Sequence, residues 1–195
     1  MDILKQLPDK CIDLVLTDPP YGIGMDGGNV GYKGNNNFEK KNWDKETPKK
    51  EIFEEIFRVS KNQIMWGGNY FGFKSRCYLV WDKGEGFYNR SYAEAELAYT
   101  SFDKNISIFK HDPLAKRDYV GKLHPCQKPL TLFEWCLQNH SKEGDLILDP
   151  FSGSGTTAIA CHRLKRRFIC IEKDAEYWAK SVERLKAEQA QLQLF

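Results

Sequence analysis

Asp18-Pro19-Pro20-Tyr21 is the first group of residues whose types and spacing could perform chemistry. An apolar run over residues 11–17 predicts a strand that ends there, because proline cannot donate a hydrogen bond to a sheet. The rigid prolines leave a backbone carbonyl aimed outward. Asp18 and Pro19 can therefore both accept hydrogen bonds from one amino group, while Tyr21 stacks on a planar base. Taken alone, the four residues are more often a polar turn beside a packed tyrosine.

A glycine loop between a predicted strand and a predicted helix is the second such group. Gly153 and Gly155 let the backbone turn sharply and approach a ligand closely. Glu172 follows about twenty residues later, where an acid can accept hydrogen bonds from both ribose hydroxyls of an adenosine. The predicted cofactor contacts are Asp149, Phe151, Ser152, Gly153, Gly155, Thr156 and Glu172.

The surroundings of this loop narrow the choice of ligand. No Gly-Lys-Ser/Thr follows the glycines, and Asp149 would repel an anion, which argues against a phosphate-binding loop. The G-x-G-x-x-G pattern of a dinucleotide site is incomplete. An acid at position 149 instead suits a ligand with an ammonium group, such as methionine. Adenosine joined to a cationic amino acid predicts S-adenosylmethionine.

Together these residues resemble the β-class amino-methyltransferases of DNA, in which D-P-P-Y precedes the F-x-G-x-G loop, a permuted motif order. Residues 124–129 resemble the H-P-x-Q-K-P element of that class, which implies that Gln127 and Lys128 line the methionine end of the cofactor. Residues 81–84 resemble a segment near the catalytic side. The resemblance covers nearly the whole chain. It implies methyl transfer from S-adenosylmethionine to a flipped base of double-stranded DNA, with Asp18, Pro19, Pro20 and Tyr21 as catalytic residues and no metal.

Two features depart from the class. A strand followed by Gly-Asp, whose acid contacts the cofactor adenine, usually precedes the catalytic segment. Here the chain begins at Met1, so either the sheet lacks an edge strand or the chain is truncated, and Asp2 is only a candidate for that contact. The target-recognition region shrinks to residues 103–123, which predicts low or very short sequence specificity.

Two basic stretches are the predicted DNA contacts. Residues 33–50 carry six Lys against three acids, and residues 103–128 carry six Lys/Arg against three Asp. A solvated loop explains each stretch equally well without other clues. Residues 22–50 are long for a loop within a compact domain, which favours a function. The predicted phosphate contacts are Lys33, Lys40, Lys41, Lys110, Lys116, Arg117 and Lys122.

Several alternatives remain open. D-P-P-Y favours N6 of adenine, and N4 of cytosine is the alternative base. RNA or a free small molecule is a rival substrate, and an inactive relic that only binds DNA is a rival from another class. Pro125-Cys126 could suggest a cytosine-C5 nucleophile. We reject that interpretation because it leaves D-P-P-Y unexplained.

The elements that must position these residues predict a single domain over residues 1–195. In the last third, strands at 146–148 and 168–171 alternate with helices at 129–140, 156–164 and 174–190. Such alternation predicts a doubly wound, mostly parallel Rossmann-like sheet. Closely spaced strands at 77–81 and 94–100 predict an antiparallel excursion near one edge.

Composition sets the outer bounds of the interpretation. The net charge of +2 alone does not suggest nucleic acid. Six scattered cysteines without a Cys-x-x-Cys pair suggest neither zinc nor disulfides. No apolar run is long enough for a membrane span and no secretion signal is evident, so a cytoplasmic protein is expected. A homodimer is expected only from the habit of the class.

Overall fold

A computed structural model of the chain describes residues 2–29, 37–116, 118 and 121–192. In chain order its elements are α1 (Asp2–Gln6), β1 (Ile12–Thr17), β2 (Gly28–Asn29), β3 (Asn37–Phe38), α2 (Lys50–Val59), β4 (Ser60–Trp66), β5 (Tyr78–Asp82), β6 (Ala95–Thr100), β7 (Ser107–Lys110), α3 (Leu130–His140), β8 (Leu146–Asp149), α4 (Thr156–Arg163), β9 (Arg167–Cys170) and α5 (Ala175–Leu192). Within the described residues, β2 and β3 form a two-stranded ribbon and the other strands form one seven-stranded sheet.

The spatial order of the large sheet is β7-β5-β6-β4-β1-β8-β9. Strand β6 runs antiparallel to both of its neighbours, β4 and β5. The other neighbouring pairs run parallel. The prediction of a doubly wound, mostly parallel sheet with an antiparallel strand near one edge is therefore confirmed.

Helices cover both faces of the sheet because its buried strands are apolar on both sides. Leu14 and Leu16 of β1 pack with helices α3 and α4 in one core cluster. Val15, between them in sequence, packs with α1 and α2 in the other. This alternation follows from the two-residue period of a strand.

The edges of the sheet contain elements that the sequence patterns did not predict. Strand β7 lies within the segment 103–123 that was interpreted as target recognition, and it pairs in parallel with β5 at one edge. The ribbon β2–β3 lies within the predicted long loop, and α1 precedes β1. These elements are two to five residues long, too short for a hydrophobic period to stand out. Strand β9 forms the opposite edge of the described sheet.

The carboxyl ends of the parallel strands meet at one edge, where open α/β sheets bind ligands. Asp18 follows β1, Gly67 follows β4, and the glycine loop follows β8. Strand β6 runs the other way, so it contributes its first residues to the same edge. Its Ala95 lies opposite Asp82, the last residue of β5. Glu96, the next residue of β6, lies beyond the end of β4 and comes within reach of Tyr21, which follows β1.

Among the described residues, no helix is long and apolar enough to span a membrane. The same part of the chain contains no group of three or more His, Cys, Asp or Glu side chains that could hold a metal ion. All six cysteines are free thiols.

Candidate active site

Asp18 lies in a corner of the cleft where charged side chains from four parts of the chain meet. We call Asp18, Tyr21, Lys83, Glu96 and Lys128 the Asp18 cluster. The Tyr21 hydroxyl donates to Asp18 Oδ1 at 2.5 Å. Lys128 Nζ donates to Asp18 Oδ2 at 2.6 Å, and the two side chains are only 8% and 15% exposed. Both oxygens of the predicted amino acceptor are thus engaged within the protein.

Glu96 joins the cluster from β6 and was not predicted as a site residue. Its Oε1 lies 2.7 Å from Lys83 Nζ and its Oε2 lies 3.2 Å from Lys128 Nζ. The Tyr21 hydroxyl is 3.3 Å from the same Oε2. Two carboxylates and two ammonium groups therefore balance one another in a desolvated site, as buried charges must. The sequence did contain one indication of this role, because Glu96 lies between Ala95 and Leu97 at the start of a largely apolar strand.

Lys128 makes side-chain contacts that the sequence did not predict. The resemblance implied that it lines the methionine end of the cofactor, and Lys128 does line the cleft. Its ammonium also pairs with Asp18 and Glu96 and lies 5.3 Å from the centre of the Tyr21 ring. Tertiary contact decides this role, since Lys128 and Asp18 lie 110 residues apart in the chain.

Burial and neighbouring charges oppose each other in this cluster. Burial raises the pKa of Asp18, and the Lys128 ammonium counteracts it. Burial also raises the pKa of Glu96, but Lys128 and Lys83 outweigh that effect and lower it to about 2. Burial lowers the pKa of Lys128, yet Asp18 and Glu96 raise it well above its ordinary value. The cations therefore prevail at Glu96, whereas at Asp18 burial prevails and the pKa is raised.

A tight turn after β4 holds the Tyr21 ring. Tyr70 stacks on it with centroids 4.9 Å apart and planes 13° apart. Gly67 has a φ of 76°, and a Cβ there would overlap the Tyr21 ring. Only glycine satisfies both demands. Tyr70 is 43% exposed, and it carries an aromatic surface to the mouth of the cleft.

The glycine loop at the second corner of the cleft turns through backbone hydrogen bonds. Gly155, at φ 76°, caps α4 and donates its N–H to Ser152 O at 2.8 Å. Glu172 Oε2 accepts from Gly153 N at 2.8 Å, and its Oε1 accepts from Asp174 N at 2.8 Å. Glu172 therefore holds the loop and the start of α5 together, and the remaining lone pairs of its carboxylate stay available to ligand hydroxyls.

Asp149 and Gly155 play structural parts that differ from the predicted ones. Asp149 accepts hydrogen bonds from Thr17, Thr157 and the Phe151 backbone, so it joins β1, β8 and α4 while it also lines the cleft. Burial raises its pKa to about 6. Gly155 does not line the cleft; a Cβ on it would lie 2.9 Å from Ser181, so its small size lets α5 approach.

Arg184 of α5 supports the loop from behind and was not predicted. Its guanidinium donates to Ser154 O at 3.0 Å and to Thr156 Oγ1 at 3.2 Å. No sequence motif marks Arg184, because α5 is far from the loop along the chain.

Residues 41–44, which we call the strap, close over the second corner. Lys41 Nζ lies 2.9 Å from Asp174 and 2.7 Å from Glu176. The Trp43 ring stacks on His124 at 5.0 Å. Asp44 accepts 2.8 Å hydrogen bonds from the backbone of Gly22 and Met25. Lys41, predicted to bind DNA phosphate, is thus paired with two carboxylates at the start of α5.

The remaining predicted residues divide into those that line the cleft and those that do not. Asp2, Phe151, Ser152, Gly153, Thr156, Glu172, Gln127 and Lys122 line one continuous cleft with Asp18, Pro19, Pro20 and Tyr21. Burial lowers the pKa of Lys122 to about 8. Gln127 Oε1 accepts from Leu123 N at 3.0 Å and so holds its own segment. Lys40, Lys110 and Lys116 are exposed outside the cleft, whereas Lys33 and Arg117 lie outside the described residues.

Comparison with known proteins identifies the family of the chain. A family model described as DNA methylase, N6_N4_Mtase, matches residues 39–183. The Type II methyltransferase M2.DpnII of Streptococcus pneumoniae is 34% identical over 236 residues, which cover 95% of this chain and 86% of that protein. The chain belongs to this N6/N4 family of DNA methylases, which confirms the predicted class of DNA methyltransferase and its cofactor, S-adenosylmethionine.

Two solved structures show the shared fold. M1.HpyAVI, solved as a complex with SAM, superposes with a TM-score of 0.62 and 23% identity over 94% of this chain and 95% of its own. The PvuII DNA methyltransferase, which is specific for cytosine N4, superposes with a TM-score of 0.57 and 18% identity over 95% of this chain and 86% of its own. The same fold therefore serves a cytosine-specific enzyme, and the fold does not identify the base.

Proposed function

We propose that this DNA methyltransferase transfers the methyl group of S-adenosylmethionine to N6 of an adenine flipped out of double-stranded DNA. The observation that carries the proposal is the position of Asp18. It is a buried acceptor beside the Pro19 carbonyl and the Tyr21 ring, in the same cleft as the glycine loop and Glu172. The D-P-P-Y order supports adenine as the base.

The second corner of the cleft suits the cofactor. Glu172 would accept hydrogen bonds from the ribose hydroxyls, and Phe151, Ser152 and Gly153 would lie along the ligand. The buried indole N–H of Trp43 has no hydrogen-bond partner in the described part of the chain. An orphan donor of this kind suits a site that a polar ligand completes. S-adenosylmethionine, when bound, supplies a methyl group activated by its attachment to a sulfonium.

The Asp18 cluster would act by positioning the base. The target amino group lies inside the duplex, so the nucleotide must flip out of the stack. Tyr21 would stack on it, worth roughly 1–3 kcal/mol by analogy with single-strand binders. Asp18 and the Pro19 carbonyl would accept the two amino hydrogens and aim the nitrogen lone pair at the methyl group. Such orientation can supply about 7–11 kcal/mol of the barrier.

The methyl group passes directly to the base, so no covalent intermediate with the enzyme is required. S-adenosylmethionine would supply the methyl group, whose bond to sulfur would break with its electron pair left on sulfur as the bond from methyl to N6 forms. N6 then carries a positive charge and loses one of its protons, either to Asp18 or to water. The Cys126 thiol takes no part: burial raises its pKa to about 12, so it is not a thiolate nucleophile at neutral pH.

The exposed lysines support a DNA substrate. Lys40, Lys110 and Lys116 are free to contact phosphates, and Lys122 lies inside the cleft. Such contacts would make DNA affinity fall steeply with salt. A binding assay over a salt series tests them, and an affinity that does not change with salt would contradict the assignment.

The experiment that tests the proposal measures transfer of labelled methyl from S-adenosylmethionine to unmethylated DNA, followed by mass spectrometry of the nucleosides. N6-methyladenine is the expected product. N4-methylcytosine would retain the mechanism and replace the base. Transfer to RNA alone, or no transfer although calorimetry shows that the cofactor binds, would overturn the proposal.

A further inference from the structure

The Asp18 carboxylate has an occupant at the position that an amino group needs. Its Oδ1 accepts from Tyr21 and its Oδ2 accepts from Lys128 at 2.6 Å. An ammonium group and a base amino group are both nitrogen donors, so they compete for the same oxygen. Lys128 fills one of the acceptor sites of Oδ2, and its positive charge repels the hydrogens of an arriving amino group, so withdrawal of the ammonium would strengthen the contact of the base with Oδ2.

Glu96 provides the place to which that ammonium can move. Its Oε2 already lies 3.2 Å from Lys128 Nζ, beyond a strong hydrogen bond but within ion-pair distance. Lys83 holds the other oxygen of Glu96 at 2.7 Å, so the carboxylate stays in place. A small shift of one flexible side chain exchanges Asp18 for Glu96 and leaves no buried charge without a partner, which would otherwise be costly.

We propose that Lys128 is a positioning residue that occupies Asp18 in the free protein and passes to Glu96 when the target amino group arrives. This inference rests on the proposed function, since the arriving group is the amino group of a base. In the free protein Lys128 holds Asp18 Oδ2 and opposes the effect of burial on the pKa of Asp18. In the complex it has released Asp18 Oδ2 to the substrate.

The charges around Asp18 determine the direction in which its pKa should shift when Lys128 or Glu96 is replaced. The charged or titratable groups that act on it are Lys128, Glu96 and Tyr21, with Asp149 and Cys126 further off. Removing the Lys128 cation should raise the pKa of Asp18, whereas removing the Glu96 anion should lower it. Asp18 must be ionised to accept freely the amino hydrogen that the Pro19 carbonyl does not take, so the acid limb of kcat/KM should follow the pKa of Asp18 in the free enzyme.

The experiment compares Lys128→Gln and Glu96→Gln with the native protein in pH profiles of kcat/KM for unmethylated DNA. Lys128→Gln should move the acid limb up by about 1–3 pH units, with activity recovering toward pH 8.5. Glu96→Gln should move it down by about one unit and lower kcat/KM about 10- to 100-fold, because Lys128 then stays on Asp18. The proposal would be overturned if the acid limbs of the two variants coincide with that of the native protein, or if both shift in the same direction.

Two measurements guard against simpler explanations. Calorimetry with S-adenosylmethionine should give native affinity for both variants; a loss of about tenfold or more in Lys128→Gln would make Lys128 a cofactor ligand instead. The exposed pair Lys165 and Glu143, 3.6 Å apart, supplies matched control variants, Lys165→Gln and Glu143→Gln, that should shift nothing. If Lys128→Gln does not fold, the profile of Glu96→Gln decides alone.

A native protein that transfers no methyl to DNA would overturn the proposed function, and the exchange would then be measured without substrate. Double-mutant cycles on urea unfolding give the coupling between Lys128 and Glu96. That coupling should be larger in an Asp18→Asn background, where Lys128 has only Glu96 as a charged partner. An unchanged coupling would show that Lys128 does not exchange between the two acids.

Discussion

The two corners of the cleft are built in opposite ways. The Asp18 cluster consists of charged side chains from positions 18, 83, 96 and 128 that pair with one another. The glycine loop consists mainly of backbone groups from one stretch of chain, held by Glu172 from the end of the next strand. In the proposed function the first corner would position the amino group that reacts, and the second would hold the cofactor. Loss of one side chain should therefore harm catalysis at the first corner and affinity at the second.

The largest effect is expected from Asp18→Ala. Methyl transfer should fall by about 1000-fold or more, because the acceptor that aims the amino group is lost. The affinity for S-adenosylmethionine, measured by calorimetry, should stay within about threefold, because the second corner is intact. Asp103→Ala, at an 81% exposed side chain, is the control and should keep full activity. A fully active Asp18→Ala protein would remove the distinction between the corners.

Gly67→Ala should come next. The added methyl group would overlap the Tyr21 ring, and φ is positive at this residue, so the turn or the ring must shift. Transfer should fall about 10- to 100-fold while cofactor affinity stays near native. Gly24→Ala is a matched control with a similar φ of 72° and no atom within 4 Å. It should cost about 1 kcal/mol of stability and little activity. Equal losses in both variants would assign the effect to backbone strain alone.

Glu172→Ala tests the second corner. The carboxylate holds the backbones of Gly153 and Asp174 and is the proposed partner of the ribose, so cofactor affinity should fall about 10- to 100-fold. At a saturating concentration of cofactor, kcat should recover to within about tenfold of native. Unchanged affinity in calorimetry would contradict the ribose assignment, and an unrecoverable kcat would show that the two corners are coupled.

The smallest effect is expected from Lys41→Ala. Its ion pairs with Asp174 and Glu176 fasten the strap over the cofactor corner, and partly exposed pairs contribute about 1 kcal/mol or less. Cofactor affinity should fall about 3- to 5-fold, with faster dissociation in stopped-flow traces. Lys40→Ala, at the exposed neighbouring residue, is the control and should leave cofactor affinity unchanged. The opposite pattern, weaker DNA binding with native cofactor affinity, would restore the phosphate contact that the sequence suggested for Lys41.

Much of this protein could be predicted from local patterns. The strand before Asp18, the glycine loop before α4 and the alternation of the last third are strong signals, because strand and helix periods differ and glycine permits conformations that other residues avoid. The antiparallel direction of β6 could be predicted because the interval between β5 and β6 is too short to contain a crossover helix. Strand β7 and the ribbon β2–β3 were missed because they are four and two residues long, and their pairing depends on the neighbouring strand.

The contacts that the sequence did not predict belong to charged side chains. Lys41 was expected to bind phosphate and Asp149 an ammonium group because their residue types suit those ligands, and the role of Lys128 at the cofactor was implied by the resemblance. In the folded protein each is paired with groups more than a hundred residues away, which are Asp174, Asp18 and Thr17 respectively. Glu96 and Arg184 were missed for the same reason, since their partners belong to other elements.

The sequence by itself determined the class of reaction, the cofactor and the alternation of the longer elements in the last third, because these depend on short motifs and periodic patterns that are local. Only the tertiary structure decided which charge faces which. A buried ammonium or carboxylate is stable only beside its opposite, and the pairing of β1 with β4 and β8, with β6 antiparallel to β4, brings positions 18, 96 and 128 together.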